Sequence, residues 1–159
     1  MKRWLPLLLV LTACSPNVHV AEGPKTFATV DVCTLLKDSD VENQRLVKAT
    51  QGQERSCHFE YGADEGKVSV QVTLLAKTQH EAKIQFCPET GDCAGMETTQ
   101  YRSVSYQCDD TVRCEGLASV GEKETIGFVV RRTPDSRQAL GEVTGAVART
   151  LLERVPVTD

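Results

Sequence analysis

Six cysteines between residues 33 and 114 constrain this chain more than any other feature. Cys33 and Cys57 each stand alone, whereas Cys87/Cys93 and Cys108/Cys114 form two Cys-x5-Cys units. In an oxidising compartment an even set of this kind reads as three disulfides, so only folds that bring the partners together are allowed. Cys33 and Cys57 are natural partners, tying the first helix to the first strand. Closing that loop stabilises by about 3 kcal/mol in the chain-entropy picture. The other four leave two connectivities open. Each unit can close on itself as a clasp across a turn, or Cys87 can face Cys114 while Cys93 faces Cys108 on one antiparallel ladder. The residue numbers of those two long-range pairs have equal sums, as facing pairs require. Pro88, Gly91 and Gly95 argue against a strand there, so turn chemistry favours the clasps. Four thiolates could also hold zinc, but structural zinc sites space paired cysteines by two to four residues rather than five. No metal or cofactor is expected.

The compartment is read from the other end of the chain. Lys2 and Arg3 precede an apolar run from Leu5 to Leu11, followed by Thr12, Ala13 and Cys14. The run is too short for a permanent span, which needs roughly 20 apolar residues, and Pro6 interrupts it. Leu11-Thr12-Ala13-Cys14 in this setting resembles a bacterial lipoprotein signal peptide with its lipobox. The resemblance implies cleavage before Cys14, diacylglycerol on its thiol and acylation of the new amino group, with fatty chains of the palmitate kind. Two or three acyl chains hold a protein stably, where one is marginal. Residues 1–13 are then a signal peptide and Cys14 the lipidation site. The odd total of seven cysteines is accounted for without a free thiol. The expected location is the cell envelope, with the domain facing outside the cytoplasm.

Loss of residues 1–13 leaves 146 residues, with 16 Lys and Arg against 22 Asp and Glu, a formal net charge of −6. That length suits one domain with a real core. An acidic chain without a basic, aromatic-rich patch is a poor nucleic-acid ligand, so no nucleic-acid partner is expected. Residues 14–29 contain Pro16, Gly23 and Pro24 among polar residues and read as a lipidated tether. Residues 30–159 read as a single disulfide-linked globular domain.

Within it, Asp31 can cap a short helix carrying Cys33, Leu35 and Leu36. Asp38-Ser39-Asp40 starts a second short turn or helix carrying Val41 and Leu46, and Gln51 to Glu54 form a polar loop. Ser56 to Tyr61 reads as a strand and Gly62 to Gly66 as a turn. In Lys67 to Ala76, Val68, Val70, Val72 and Leu74 alternate with Ser69, Gln71 and Thr73, placing apolar residues on one face and polar ones in water. Thr78 to Phe86 is a helix capped by Thr78. Strands are expected at Tyr101 to Gln107, Val112 to Val120 and Ile126 to Arg132. Thr133-Pro134 opens the last helix, with Pro at its first position. Leu140, Val143, Val147, Leu151 and Val155 form its apolar face, and Pro156 stops it. No internal repeat is visible. The fold class is α+β: an antiparallel sheet with short N-terminal helices and a C-terminal amphipathic helix packed on it.

Catalytic signals are missing. His19 lies in the tether, His58 points away from the face of Cys57, and His80 starts a polar helix. None has a nucleophile or carboxylate at motif spacing. Asp109-Asp110 is ordinary turn chemistry. Gly116-x4-Gly121 lacks the Lys-Ser/Thr of a phosphate loop. A non-enzyme is expected, with no catalytic residues.

Asp31-Val32-Cys33-Thr34-Leu35-Leu36 through Val41 resembles the opening of a family of small actinobacterial lipoproteins of unknown function. Cys57-His58-Phe59 matches the family's second cysteine, which opens a strand. Gly116-Leu117-Ala118-Ser119-Val120-Gly121 and the closing helix are also similar. That resemblance implies a sensor or ligand-binding domain. Tyr106-Gln107-Cys108-Asp109 is similar to the Tyr-x-Cys strand of lipoprotein lysozyme inhibitors, which are small β-barrels. The expected function is therefore a lipid-anchored extracytoplasmic binding or sensor module for a protein or small-molecule ligand. The alternative is a surface-held inhibitor or immunity-type protein, towards which an acidic surface would steer a basic hydrolase.

Overall fold

The computed structural model describes residues 26–63, 66–86, 103–109, 112–134 and 139–156. Among these residues, two single 3-10 turns, Val32–Thr34 and Asp38–Asp40, precede six strands and two helices. The strands are β1 (Arg45–Gln51), β2 (Ser56–Ala63), β3 (Gly66–Leu75), β4 (Ser103–Asp109), β5 (Arg113–Gly121) and β6 (Glu124–Arg132). Helix α1 (Gln79–Phe86) follows β3, and α2 (Leu140–Arg154) follows β6. All strand pairs are antiparallel, in the order β1-β2-β3-β6-β5-β4. The α+β class expected from sequence is the one that forms. The sheet is open, with β1 and β4 as edges, so the closed barrel implied by the Tyr-x-Cys resemblance does not form.

The strand order contains a duplication. Each half is a three-strand meander followed by a helix, and the halves join along β3 and β6. The β2–β3 turn closes at Ala63 and Gly66, the β5–β6 turn at Gly121 and Glu124, 58 residues later. Cys57 and Cys114 occupy corresponding places in β2 and β5, facing Val72 of β3 and Val130 of β6 respectively. Both halves obey the same period-two pattern with different residues, so the repeat is one of topology and not of composition.

The alternation in β3 does what its period demands. Val68, Val70, Val72 and Leu74 are buried, and Ile126, Phe128 and Val130 continue the same face into β6. Cys57, Phe59 and Tyr61 from β2 and Cys114, Ala118 and Val120 from β5 complete it. Val143, Val147, Ala148 and Leu151 of α2, with Val155 just after it, close over this face together with Val32, Leu35, Leu36 and Val41. Phe27, upstream of the expected domain start near Val30, is part of the same core. A guanidinium fork joins the two covering layers. Arg154 donates to both carboxylate oxygens of Asp40, at 2.5 and 2.7 Å, and to Leu35 O at 2.7 Å. That bond raises the Arg154 pKa further above its ordinary value, chiefly through the Asp40 hydrogen bond. Beneath it, the Tyr61 hydroxyl donates to Lys37 O, and burial, aided by Asp40 and Asp38, pushes its pKa up.

Local chemistry explains the caps. Asp31 Oδ1 accepts from Cys33 N at 3.0 Å, as expected, although the element it caps is one 3-10 turn. Thr78 and Glu81 form a reciprocal capping box on α1: Glu81 Oε2 accepts from Thr78 N, and Thr78 Oγ1 accepts from Glu81 N. These bonds to Thr78 lower the Glu81 pKa.

Three expectations are corrected. Leu46 does not belong to a second short helix but to β1, a strand that the sequence does not signal. Edge strand β1 is exposed at nearly every residue, so it carries no alternation to detect. Helix α2 is described from Leu140, not from Thr133. Thr133 prolongs sheet pairing instead: its N–H donates to Lys67 O at 2.9 Å, and its hydroxyl accepts from Lys67 N at 3.0 Å. Finally, Thr73 is buried rather than in water, because the second face of the sheet is also partly covered.

Candidate functional site: the open polar face of the sheet

That second face decides where a ligand can sit. Helix α1 packs over β5 and β6. Lys77, just before α1, accepts through its carbonyl from the Thr125 hydroxyl at 2.9 Å. Leu75, Ala82, Leu117 and Thr125 are buried here, outside the main core cluster. The two helices thus break the symmetry of the sheet. Among the described residues, helix α2 seals one face and α1 caps an end of the other.

A depression of about 680 Å³ occupies the rest of this face, within the usual size of small-molecule sites. Cross-strand register arranges its lining in rows. His58, Gln71, Val129 and Glu115 form one row across β2, β3, β6 and β5. Arg131 and Arg113 line it from the next row, whose other members, Glu60 and Ser69, border an adjoining hollow. Thr73 lies on the other side of the first row, and the β1–β2 loop, Gly52 to Glu54, forms a rim. Each polar residue is one position along from a core residue, so the pleat that buries Cys114 and Val130 presents Arg113 and Arg131 outward.

Charges in the depression are only partly balanced. Arg113 Nη2 donates to Glu115 Oε2 at 2.6 Å, whereas its Nε is buried without a hydrogen-bond partner. Arg131, directly across from Arg113, is exposed and has no ion-pair partner among the described residues. His58 Nε2 lies 3.8 Å from Glu60 Oε1, both side chains being about half exposed.

The rim carries backbone strain. Glu54 and Arg55 both have positive φ, 50° and 59°, at the centre of the Gln53–Ser56 turn. Hairpin turns with this pattern normally use Asn-Gly, since non-glycine residues pay roughly 1 kcal/mol each there. Arg55 is held in place by Phe27: its guanidinium lies 5.3 Å from the ring centroid and donates to Phe27 O.

The cysteines expected to be cross-linked fall into three groups. Cys33–Cys57 is a disulfide that fastens the first 3-10 turn to β2. Cys108–Cys114 is a disulfide between facing residues of β4 and β5, which selects the local clasp for that unit and excludes the Cys93–Cys108 ladder pairing. Cys87, Cys93 and Cys14, the expected lipidation residue, lie outside the described residues, as do His19 and Asp110. His58 lies on the face opposite Cys57, as its strand position required, and of the two described histidines it is the one that lines the depression. His80 begins α1, away from it. Arg113 and Arg131 were not singled out from sequence. Their signal was available: each is a charge at the outward parity of an otherwise apolar strand.

Comparison with family models, with curated proteins and with solved structures returns no match.

Proposed function

We propose that this chain is a lipid-anchored binding module of the cell envelope, held by Cys14, which takes its ligand on the open polar face of the sheet. The carrying observation is the contrast between the two faces. One is sealed by α2 and the N-terminal turns, and the other keeps a depression lined by His58, Gln71, Arg113, Glu115 and Arg131. A concavity of this size with converging polar groups is where a ligand would sit. The Cys33–Cys57 and Cys108–Cys114 disulfides support an oxidising compartment, and the leader ending in Leu11-Thr12-Ala13-Cys14 supports export and anchoring.

Anchoring is tested by Cys14→Ala. The variant should leave the membrane fraction and accumulate as soluble protein or uncleaved precursor, read by fractionation and intact mass. A variant that stays in the membrane and is cleaved at the same bond contradicts the anchor.

A further inference from the structure

We infer that the open face binds an oxyanion, a carboxylate or phosphate group, between Arg131 and Arg113; this rests on the reading of that face as the binding surface. Three features point the same way. The two arginines are Cα partners on β6 and β5, so their guanidinium groups project from neighbouring strands into one depression. Like charges directly opposite on a sheet repel, and the arrangement is retained at a cost unless an anion joins them. Among the described residues, the carboxylate bonded to either is Glu115, which takes one arm of Arg113 and leaves Nε buried and unpaired. Arg131 has no anionic partner among the described residues.

One negative charge is therefore missing from the pair, in a chain that is otherwise acidic. Guanidinium forks favour planar or tetrahedral oxyanions because two N–H groups can reach two oxygens. The neighbouring row adds the Gln71 amide and the His58 ring, which can hydrogen-bond a polar body attached to the anion. Glu115 has the opposite role: it competes with the ligand for Arg113.

Calorimetric titration of the mature protein in nonionic detergent tests this, with inorganic phosphate, succinate and dihexanoyl-phosphatidylglycerol as probes. At least one is expected to bind. Arg131→Gln should weaken it about tenfold, the loss expected for a charged hydrogen bond. Glu115→Gln should tighten it by releasing Arg113, a gain that a merely structural carboxylate would not produce. Lys48→Gln, on edge strand β1, should change nothing. A free anion that binds where the lipid does not assigns a soluble ligand, and the reverse assigns a headgroup. Failure of all three probes, or binding indifferent to Arg131→Gln, overturns the inference. A neutral solute that binds this face in wild type and in Arg131→Gln alike would leave the binding module standing and remove only its anion preference.

Discussion

Gly116→Val is expected to destabilise the domain by about 3 kcal/mol, at the upper end of overpacking costs. For a domain of this size that lowers the thermal midpoint by about 10 °C. Gly116 lies on the packed face of β5, between Tyr106 of β4 and Phe128 of β6. A Cβ there would stand 2.7 Å from Tyr106 Cβ, 2.8 Å from Phe128 Cε2 and closer still to Phe128 Cζ. Phe128 is wholly buried, so its ring cannot swing into solvent. The opposing effect, a stiffer unfolded chain and better strand propensity, is worth about 1 kcal/mol at most and loses. The same geometry predicts coupling. Phe128→Ala alone should cost about 3–5 kcal/mol through its cavity, yet Gly116→Val with Phe128→Ala should cost less than the two added. Thermal denaturation of the three variants measures this; strict additivity would mean that the ring does not rest on the glycine.

Removing the Cys33–Cys57 disulfide is the second large effect. The bridge closes a separation of 24 residues, against 6 for Cys108–Cys114. The chain-entropy relation gives about 3.5 kcal/mol for the first and about 2.4 kcal/mol for the second. The structure widens the gap. Cys57 is fully buried and its bridge holds the N-terminal layer against β2, whereas Cys108 is exposed on an edge strand that hairpin pairing already aligns. Cys33→Ala/Cys57→Ala should therefore unfold at lower denaturant than Cys108→Ala/Cys114→Ala. The reverse order would show that the N-terminal layer is held by packing and the Arg154–Asp40 fork instead.

The parts of this fold that could be read from sequence are those where one physical demand dominates. Val68, Val70, Val72 and Leu74 must share a face, and Val143, Val147 and Leu151 must share another, so β3 and the body of α2 were legible. Where demands compete, the reading failed. Pro134 after Thr133 looks like a helix start, but the Thr133 hydroxyl and N–H serve Lys67, and the sheet keeps the residue. Edge strand β1 has no buried face to generate a pattern. The duplication was hidden because burial specifies only polarity and volume: Phe59 in β2 and Gly116 in β5 both fit core-facing rows. The site was harder still. The β5–β6 pairing sets Arg113 opposite Arg131, but Gln71 is far from both in sequence, and the β3–β6 junction is what brings it beside them. The strand position of His58 puts it on the face opposite Cys57, where it is half-exposed; its neighbours there give it a significance that its own position does not.

The account stands or falls on which face of the sheet meets the ligand. The direct measurement is an amide-resonance titration of the isotopically labelled mature protein with small molecules extracted from the envelope of the producing cell. Shifts concentrated at His58, Gln71, Val129 and Arg131 are predicted. Shifts confined to α2, Tyr106 or the β1 edge, with those four unmoved, would contradict it.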